Sequence, residues 1–292
     1  PNTPPPDPTK EPTVTATATK VVPTATETPK PMPTETEAPI DPTLTPEPEI
    51  TPTATPLPSE ITDKSGAEMV LIPASKFWMG SDSGEQDARP VHLVDLPSFY
   101  IDKFEVTNAQ YLDCFTDGVC AKPSDTTYFL NLTTNKYKEY PITYVSWQDA
   151  VTFCEWRGAR LPIEAEWEKA ARGESGLNYP WGFQWGNQYA NAKGADDGFL
   201  DASPVISFEK GLSPYGLYNM AGNVWEWVDG WYDVYPEGNA AASAYFGEIR
   251  RVARGGSWND NKSNLFTYKR YDLNPATQNG QVGFRCAVSV GE

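Results

Sequence analysis

The stretch "RGGSWNDNKSNLFTYKR", residues 254–270, combines carboxylate, amide, hydroxyl, aromatic and cationic side chains in seventeen positions. Asp260, Arg270 and the nearby Asp272 could support acid–base work, since a carboxylate beside a guanidinium can hold and release a proton. The same groups are equally readable as solvated loop charges. No cysteine or histidine occurs there, so nucleophilic thiol chemistry and soft-metal ligation are missing from the segment.

Two other stretches have the donor types of a hard cation site, which wants carboxylate, amide and carbonyl oxygen. In "LYNMAGNVWEW", Asn219, Gly222, Val224 and Glu226 could supply two side-chain and two main-chain oxygens. In "YANAKGADDGFLD", Asn191, Ala192, Asp197 and Phe199 form a second such set. By themselves both are also ordinary hydrogen-bonded loops. Cys114, Cys120, Cys154 and Cys286 contain no C-x-x-C, and His92 is the only histidine. An even cysteine count beside a Thr/Pro-rich segment points to an oxidising compartment and two disulfides, with zinc as the alternative. Cys114 and Cys120 would close a short loop, and Cys154 with Cys286 would tie the middle of the chain to its end.

The elements that must position these groups begin after residue 62. Residues 1–62 are built almost wholly from Pro, Thr, Glu, Ala and Val and have no aromatic side chain, the first in the chain being Phe77. Such a segment buries too little apolar surface to offset an ordering cost of about 1–2 kcal/mol per residue, and reads as an extended stalk or linker. Its "TVTATATKVV" has the β-branched content to add as a strand to a neighbouring subunit, as in a filament, and its Thr–Pro pairs suit O-glycosylation. Residues 63–292 form one domain. "AEMVLIPASKFWMGS" reads as strand, turn, strand, and a further strand is expected near Phe99–Ile101. Helices are expected from Thr107, from Ser146 to Gly158 with a Ser–Asp capping box, and over "LPIEAEWEKAARG" with Pro162 in the first turn. Beyond Gly173 long loops dominate, broken by short strands in "VARGGSW" and "VGFRCAVSV". Loops of that length stay ordered when metal ions or disulfides pin them.

A formal net charge of −16 argues against nucleic acid and anionic membrane partners. No run of about 20 apolar residues is present to span a bilayer, and the chain begins without a signal peptide, which points to export with any anchor placed upstream.

Seven motifs occur in order: "MVLIPASKFWMGS", "FEVTNAQYLDC", "PITYVSWQDAVTFCEWRGARLPIEAEWEKAARG", "YPWG", "GLYNMAGNVWEW", "RGGSW" and "GFRCA". Together they resemble the formylglycine-generating enzyme family, or sulfatase-modifying factor domains, over essentially all of 66–290. The resemblance implies an α+β variant of the C-type lectin fold with little regular structure. It implies two structural Ca²⁺ sites, on Asn191, Ala192, Asp197 and Phe199 and on Asn219, Gly222, Val224 and Glu226. It also implies a Cys154–Cys286 disulfide; the Cys114–Cys120 pairing lies outside the family pattern and rests on spacing.

Oxidase members of that family resemble one another in G-G-S-x-x-C-x-x-x-x-C, whose thiolates bind Cu(I). Here the two cysteine positions fall on Asp260 and Leu265, so no copper is expected, although the pocket residues Trp225 and Ser257 are kept. Trp258, Asn259, Asp260, Asn261, Asn264, Phe266, Tyr268 and Arg270 then read as a contact surface of rigid aromatics and adaptable polar groups. The expected function is a non-catalytic extracellular module with a protein or glycan ligand. Alternatives are an enzyme using the retained pocket, or a ligand-binding protein diversified at Asn codons.

Overall fold

The computed structural model describes residues 56–127, 129, 136–194 and 197–291. The strand addition and glycosylation expected of residues 1–55 lie outside the described residues. Folding starts before residue 63. Strand β1 (Glu60–Thr62) pairs antiparallel with β2 (Glu68–Ile72), Ile61 lying opposite Met69. The expected stalk border at 62 is therefore a few residues late, because "EIT" carries an isoleucine that the sheet half-buries.

Strands β1, β2, β5 (Phe99–Asp102) and β10 (Ala287–Ser289) form one antiparallel sheet in that order. Strands β3 (Ser75–Met79) and β4 (His92–Leu96) form a separate pair. The third sheet has the order β8-β7-β6-β9, from β6 (Trp225–Trp231), β7 (Arg251–Arg254), β8 (Arg270–Leu273) and β9 (Val282–Phe284), with β6 and β9 parallel.

The helices follow their local signals. Thr107 caps α1 (Asn108–Thr116) in a reciprocal box with Gln110. Ser146 and Asp149 box the start of α2 (Trp147–Arg157), and Gly158 ends it at φ 81°, where a side chain would be strained. Helix α3 (Glu164–Arg172) starts later than expected. Pro162 precedes its cap residue Ile163, whose N–H is taken by Glu166 Oε2 at 2.9 Å, so the proline orients the entry and stays outside the first turn.

Both faces of the β6–β9 sheet are covered. Trp225, Trp227, Ala253, Val282 and Phe284 pack on one side with Tyr111 of α1 and Phe153 of α2. Val228 and Val252 pack on the other side with Trp167 of α3 and with Ile72, Phe99 and Ile101 of the first sheet. A strand buried on both faces loses the polar–apolar alternation that marks a half-exposed one. "VWEWV" in β6 shows this, and its strand character is not evident from the sequence alone.

The run "VGFRCAVSV" is two strands in two sheets. It breaks at Arg285 and Cys286, both fully buried. Cys286 is bonded to Cys154 on α2, with a Cα–Cα distance of 5.7 Å, and its N–H donates to Asp102 Oδ2 at 2.8 Å. Cys114 and Cys120 form the second disulfide, across six residues at the end of α1. Both expected pairings are present.

Charged side chains hold α3 in the interior. Glu168, with no exposed surface, accepts from Gly80 N and Arg172 Nη1, each at 2.7 Å, and forms a short contact with Arg254 Nη2. Replacing Glu168 with Ala leaves buried Arg172 without its counterion and buried Arg254 with Glu164 alone. It should cost about 3–5 kcal/mol, read as a large fall in denaturation midpoint, while a surface change such as Glu155→Ala should be nearly neutral.

Candidate functional site

The "RGGSW" segment turns out of β7 on two glycines. Gly255 and Gly256 have φ of 98° and 79°, a region other residues rarely adopt. Space also demands them: a Cβ on Gly256 would lie 2.8 Å from Leu265 Cδ1, and one on Gly255 would lie 3.1 Å from the Trp167 ring. The turn is therefore pressed between α3 and the loop that follows it.

That turn brings Ser257, beside Trp225 of β6, to Asp260, the position of the first copper-binding cysteine in the resembling oxidases. Asp260 Oδ2 accepts from Trp225 Nε1 at 2.8 Å, Ser257 N at 3.1 Å and Ser257 Oγ at 2.5 Å. Its Oδ1 accepts from Asn264 Nδ2 at 2.8 Å. Both oxygens are satisfied by neutral donors, so Asp260 acts as the post that holds the loop. Leu265, at the second cysteine position, has no exposed surface and packs among Tyr179, Ala190, Ala192 and Ala221. Around it Trp181 stacks on Tyr179 at 5.2 Å and on Tyr189 at 5.3 Å, and Phe266 lies 5.0 Å from Tyr179. A leucine in an aromatic cluster offers no ligand atom, and the carboxylate is a hard donor unsuited to Cu(I).

A polar cleft of about 460 Å³ opens beside this turn. Trp225, Asp260, Asn264 and Arg270 line it, as do Tyr271 and, from more distant segments, Glu85, Asp87, Tyr232, Asn279 and Gln281. The expected contact surface over 258–270 is only partly realised. Asn259 and Asn261 are exposed, and Trp258 is half-buried beside a second hollow with Tyr140 and Tyr144. Ser257, Tyr268 and Arg270 are interior. Tyr268 stacks on Phe266 at 5.1 Å. Arg270 forks onto Glu164 at 2.7 and 2.9 Å and sends its remaining nitrogen to the carbonyls of Asp87 and Asp233. Burial by itself would push Glu164 up, but Arg270 and Arg254 outweigh it and hold the carboxyl below its usual range. Arg270 is thus committed to the fold, and the Asp260–Arg270 proton couple suggested by sequence proximity does not form. The lining residues from 85–87, 232 and 279–281 carry no motif that links them to 254–270.

The two loops expected to hold Ca²⁺ differ in their surroundings. In the first, Asp197 closes the loop, with its oxygens accepting from Ala192 N at 3.3 Å and Phe199 N at 3.0 Å. Asn191 is buried, and its Nδ2 donates to Asp201 O and Asn223 Oδ1, which leaves Oδ1 as the oxygen available to a cation. This all-oxygen set fits a hard ion. In the second, Glu226 accepts from Arg285 at 2.6 and 2.7 Å and from Trp167 Nε1 at 2.7 Å. Asn219 and Asn223 donate to a further buried carboxylate, Glu105. Two carboxylates thus share the single guanidinium of Arg285, and burial together with Glu226 pushes Glu105 up to about 8. A divalent ion on the neighbouring carbonyls would favour the ionised form of Glu105, so the second loop also fits a cation where Glu226 is shared with Arg285.

Asp260→Ala strips four donors of their acceptor. Leaving such groups unsatisfied costs about 1–3 kcal/mol, and the expected result is a lower denaturation midpoint with faster amide exchange confined to the 257–265 loop. Asp260→Asn, which keeps part of the acceptor set, should be milder.

Residues 54–290 match the model of the sulfatase-modifying factor enzyme 1-like domain. The chain is 37% identical over 253 residues to a protein named serine/threonine-protein kinase pkn1 from Chlamydia pneumoniae, matching 76% of this chain and 38% of that one. It therefore spans well under half the length of the first curated relatives it resembles. It is 30% identical over 287 residues to inactive C-alpha-formylglycine-generating enzyme 2 of Bos taurus, covering 80% and 91% of the two chains. Among solved structures, PvdO from Pseudomonas aeruginosa superposes with a TM-score of 0.66 at 28% identity, covering 81% of this chain and all of PvdO. With the motif order and the fold already in agreement, the chain belongs to the family of sulfatase-modifying factor enzyme 1-like domains that includes the formylglycine-generating enzymes.

Proposed function

We propose that this protein is a non-catalytic member of its family, a binding module displayed outside the cell on a Pro/Thr-rich stalk. The observation that carries the reading is the state of the two cysteine positions. Asp260 is fully occupied as a hydrogen-bond post, and Leu265 is buried in an aromatic cluster. Soft-metal chemistry has no ligands there, while the pocket rim around it is kept. A relative named as inactive within the same family supports the reading. The two disulfides suit an oxidising, extracellular setting. Among the described residues no helix is long and apolar enough to cross a membrane.

Protein supplied with Cu(I), O₂ and a cysteine-containing sulfatase-type peptide should form no aldehyde detectable by hydrazide capture. Clear turnover would overturn the reading.

The same proposal includes Ca²⁺ in both loops, bound through Asn191, Ala192, Asp197 and Phe199 and through Asn219, Gly222, Val224 and Glu226. Glu105 supplies a test. Without metal, the folded chain keeps the Glu105 proton up to about 8, whereas an unfolded chain releases it near 4.5. The folded state then binds more protons across that window, so stability falls as pH rises through it. Added Ca²⁺ should raise the denaturation midpoint, and by more at the alkaline end of the window than at the acid end. An unchanged midpoint in Ca²⁺ and in chelator would count against both sites.

A further inference from the structure

We propose that the hollow between residues 140–144 and Trp258 is a subsite for one neutral sugar ring of a glycan. This rests on the binding reading above and commits it to one ligand class at one place.

The hollow has a volume of about 280 Å³ and shares no lining residue with the cleft beside the "RGGSW" turn. Tyr140, Thr143 and Tyr144 line it, and none of their three hydroxyls has a hydrogen-bond partner among the described residues. Thr143 is only 8% exposed. Hydroxyls buried to that degree are as a rule bonded within the fold, and one left unanswered is costly. What enters the hollow can answer it, and a ligand hydroxyl that replaces water there keeps the same hydrogen bond.

The backbone at the hollow is held in an unfavourable shape. Tyr144 has φ of 60°, a left-handed conformation that a ring-bearing residue rarely adopts. Its N–H donates to Asn279 O and its carbonyl accepts from Ser124 N, both at 3.0 Å, so the strain is fixed from two sides. The ring closes on Gly280, where a Cβ would lie 2.9 Å from the Tyr144 hydroxyl oxygen and 3.1 Å from its ring. Trp258 Nε1 donates to the carbonyl of the same glycine at 3.1 Å. Gly280 thus draws Tyr144 and Trp258 together at the hollow, and strain fixed by its surroundings in this way is characteristic of ligand clamps.

The lining selects the ligand. Among the described residues no cationic side chain lines the hollow, which disfavours a phosphate or carboxylate. The one carboxylate there, Asp201, already has an interaction partner in the chain, so a cation would have to share it. A hydroxyl carries one donor and two acceptor sites. Three of them together complement a ligand whose own groups both donate and accept. Pro141, the Trp258 indole and Leu200, which stands 96% exposed at the rim, supply apolar surface beside them. A pyranose presents that combination, a hydroxyl edge and a C–H face.

Saturation-transfer NMR titration of the full chain tests this with methyl β-D-glucopyranoside, methyl α-D-mannopyranoside and methyl N-acetyl-β-D-glucosaminide, and with tetramethylammonium as the cationic control. At least one sugar should bind, with an affinity that falls by about three- to tenfold in Thr143→Val and in Tyr140→Phe, as expected for one hydrogen bond lost in each. Thr143→Val removes a hydroxyl that has no partner in the fold, so its denaturation midpoint should be no lower than that of the parent chain. A fall in sugar affinity is then separable from a fall in stability. Glu155→Gln, on the exposed side of α2, should change nothing. Binding by none of the three sugars overturns the proposal, and so does full affinity kept in either hydroxyl variant. Tetramethylammonium bound in place of the sugars overturns it in favour of an aromatic cation cage. The aldehyde assay reports separately on the non-catalytic reading, which copper-dependent turnover would overturn whatever the sugar affinities.

Discussion

The buried pair Glu226–Arg285 is the constraint on which most of this architecture depends. Glu226 sits in β6, Arg285 at the break between β9 and β10, and neither has exposed surface. Arg285 also donates to the carbonyls of Asp102 and Tyr218, and Glu226 accepts from Trp167 of α3. One ion pair therefore gathers β5, β6, α3 and the 218–224 turn around the point where the chain passes from one sheet to the other. Removing either partner would leave a charge in the interior, a cost of several kcal/mol that an apolar replacement for both would avoid. Such a pair is better understood as specifying where the chain must cross than as a source of net stability.

Loops rich in Gly, Asn and Trp can stay ordered around that junction because their polar groups are answered locally. Asn223 illustrates the economy: its Nδ2 donates to Glu105 while its Oδ1 accepts from Ser203 N and Asn191 Nδ2. Arg251 does similar work at the far end of β6, with its guanidinium 3.6 Å from the rings of both Trp147 and Trp231. Side-chain networks here replace the backbone ladders that a more regular fold would use.

The two positions that correspond to the copper-binding cysteines of the resembling oxidases, Asp260 and Leu265, are both built into the packing of the pocket rim. An aspartate accepts from the tryptophan and serine that line the pocket, so the rim stays rigid. A leucine two turns of chain later fills the space between Gly256 and the Tyr179 cluster. Each substitution is packed or hydrogen-bonded as well as any neighbour. The cleft outside them is polar, with Lys269 paired to Glu85 at its lip and Arg270 turned inward to Glu164.

Much of this was legible in the residue order. Capping pairs at Thr107 and Ser146, a glycine stop at 158, the cysteine count and the motif series are local or one-dimensional signals, and they placed the helices, both disulfides and the family. The missing thiols at 260 and 265 were equally plain. The extent of the contact surface was not. Whether Tyr268 and Arg270 face solvent depends on α3, the 85–87 loop and β6, all distant in sequence, and composition alone cannot tell an exposed aromatic from a stacked one. The split of "VGFRCAVSV" between two sheets and the strand in "VWEWV" were likewise decided by burial on both faces. Sequence by itself determined which atoms are present at the pocket and which are gone, because that is a matter of side-chain identity. Only the tertiary structure decided which of those atoms remain free to meet a ligand, because freedom depends on partners brought in from the rest of the chain.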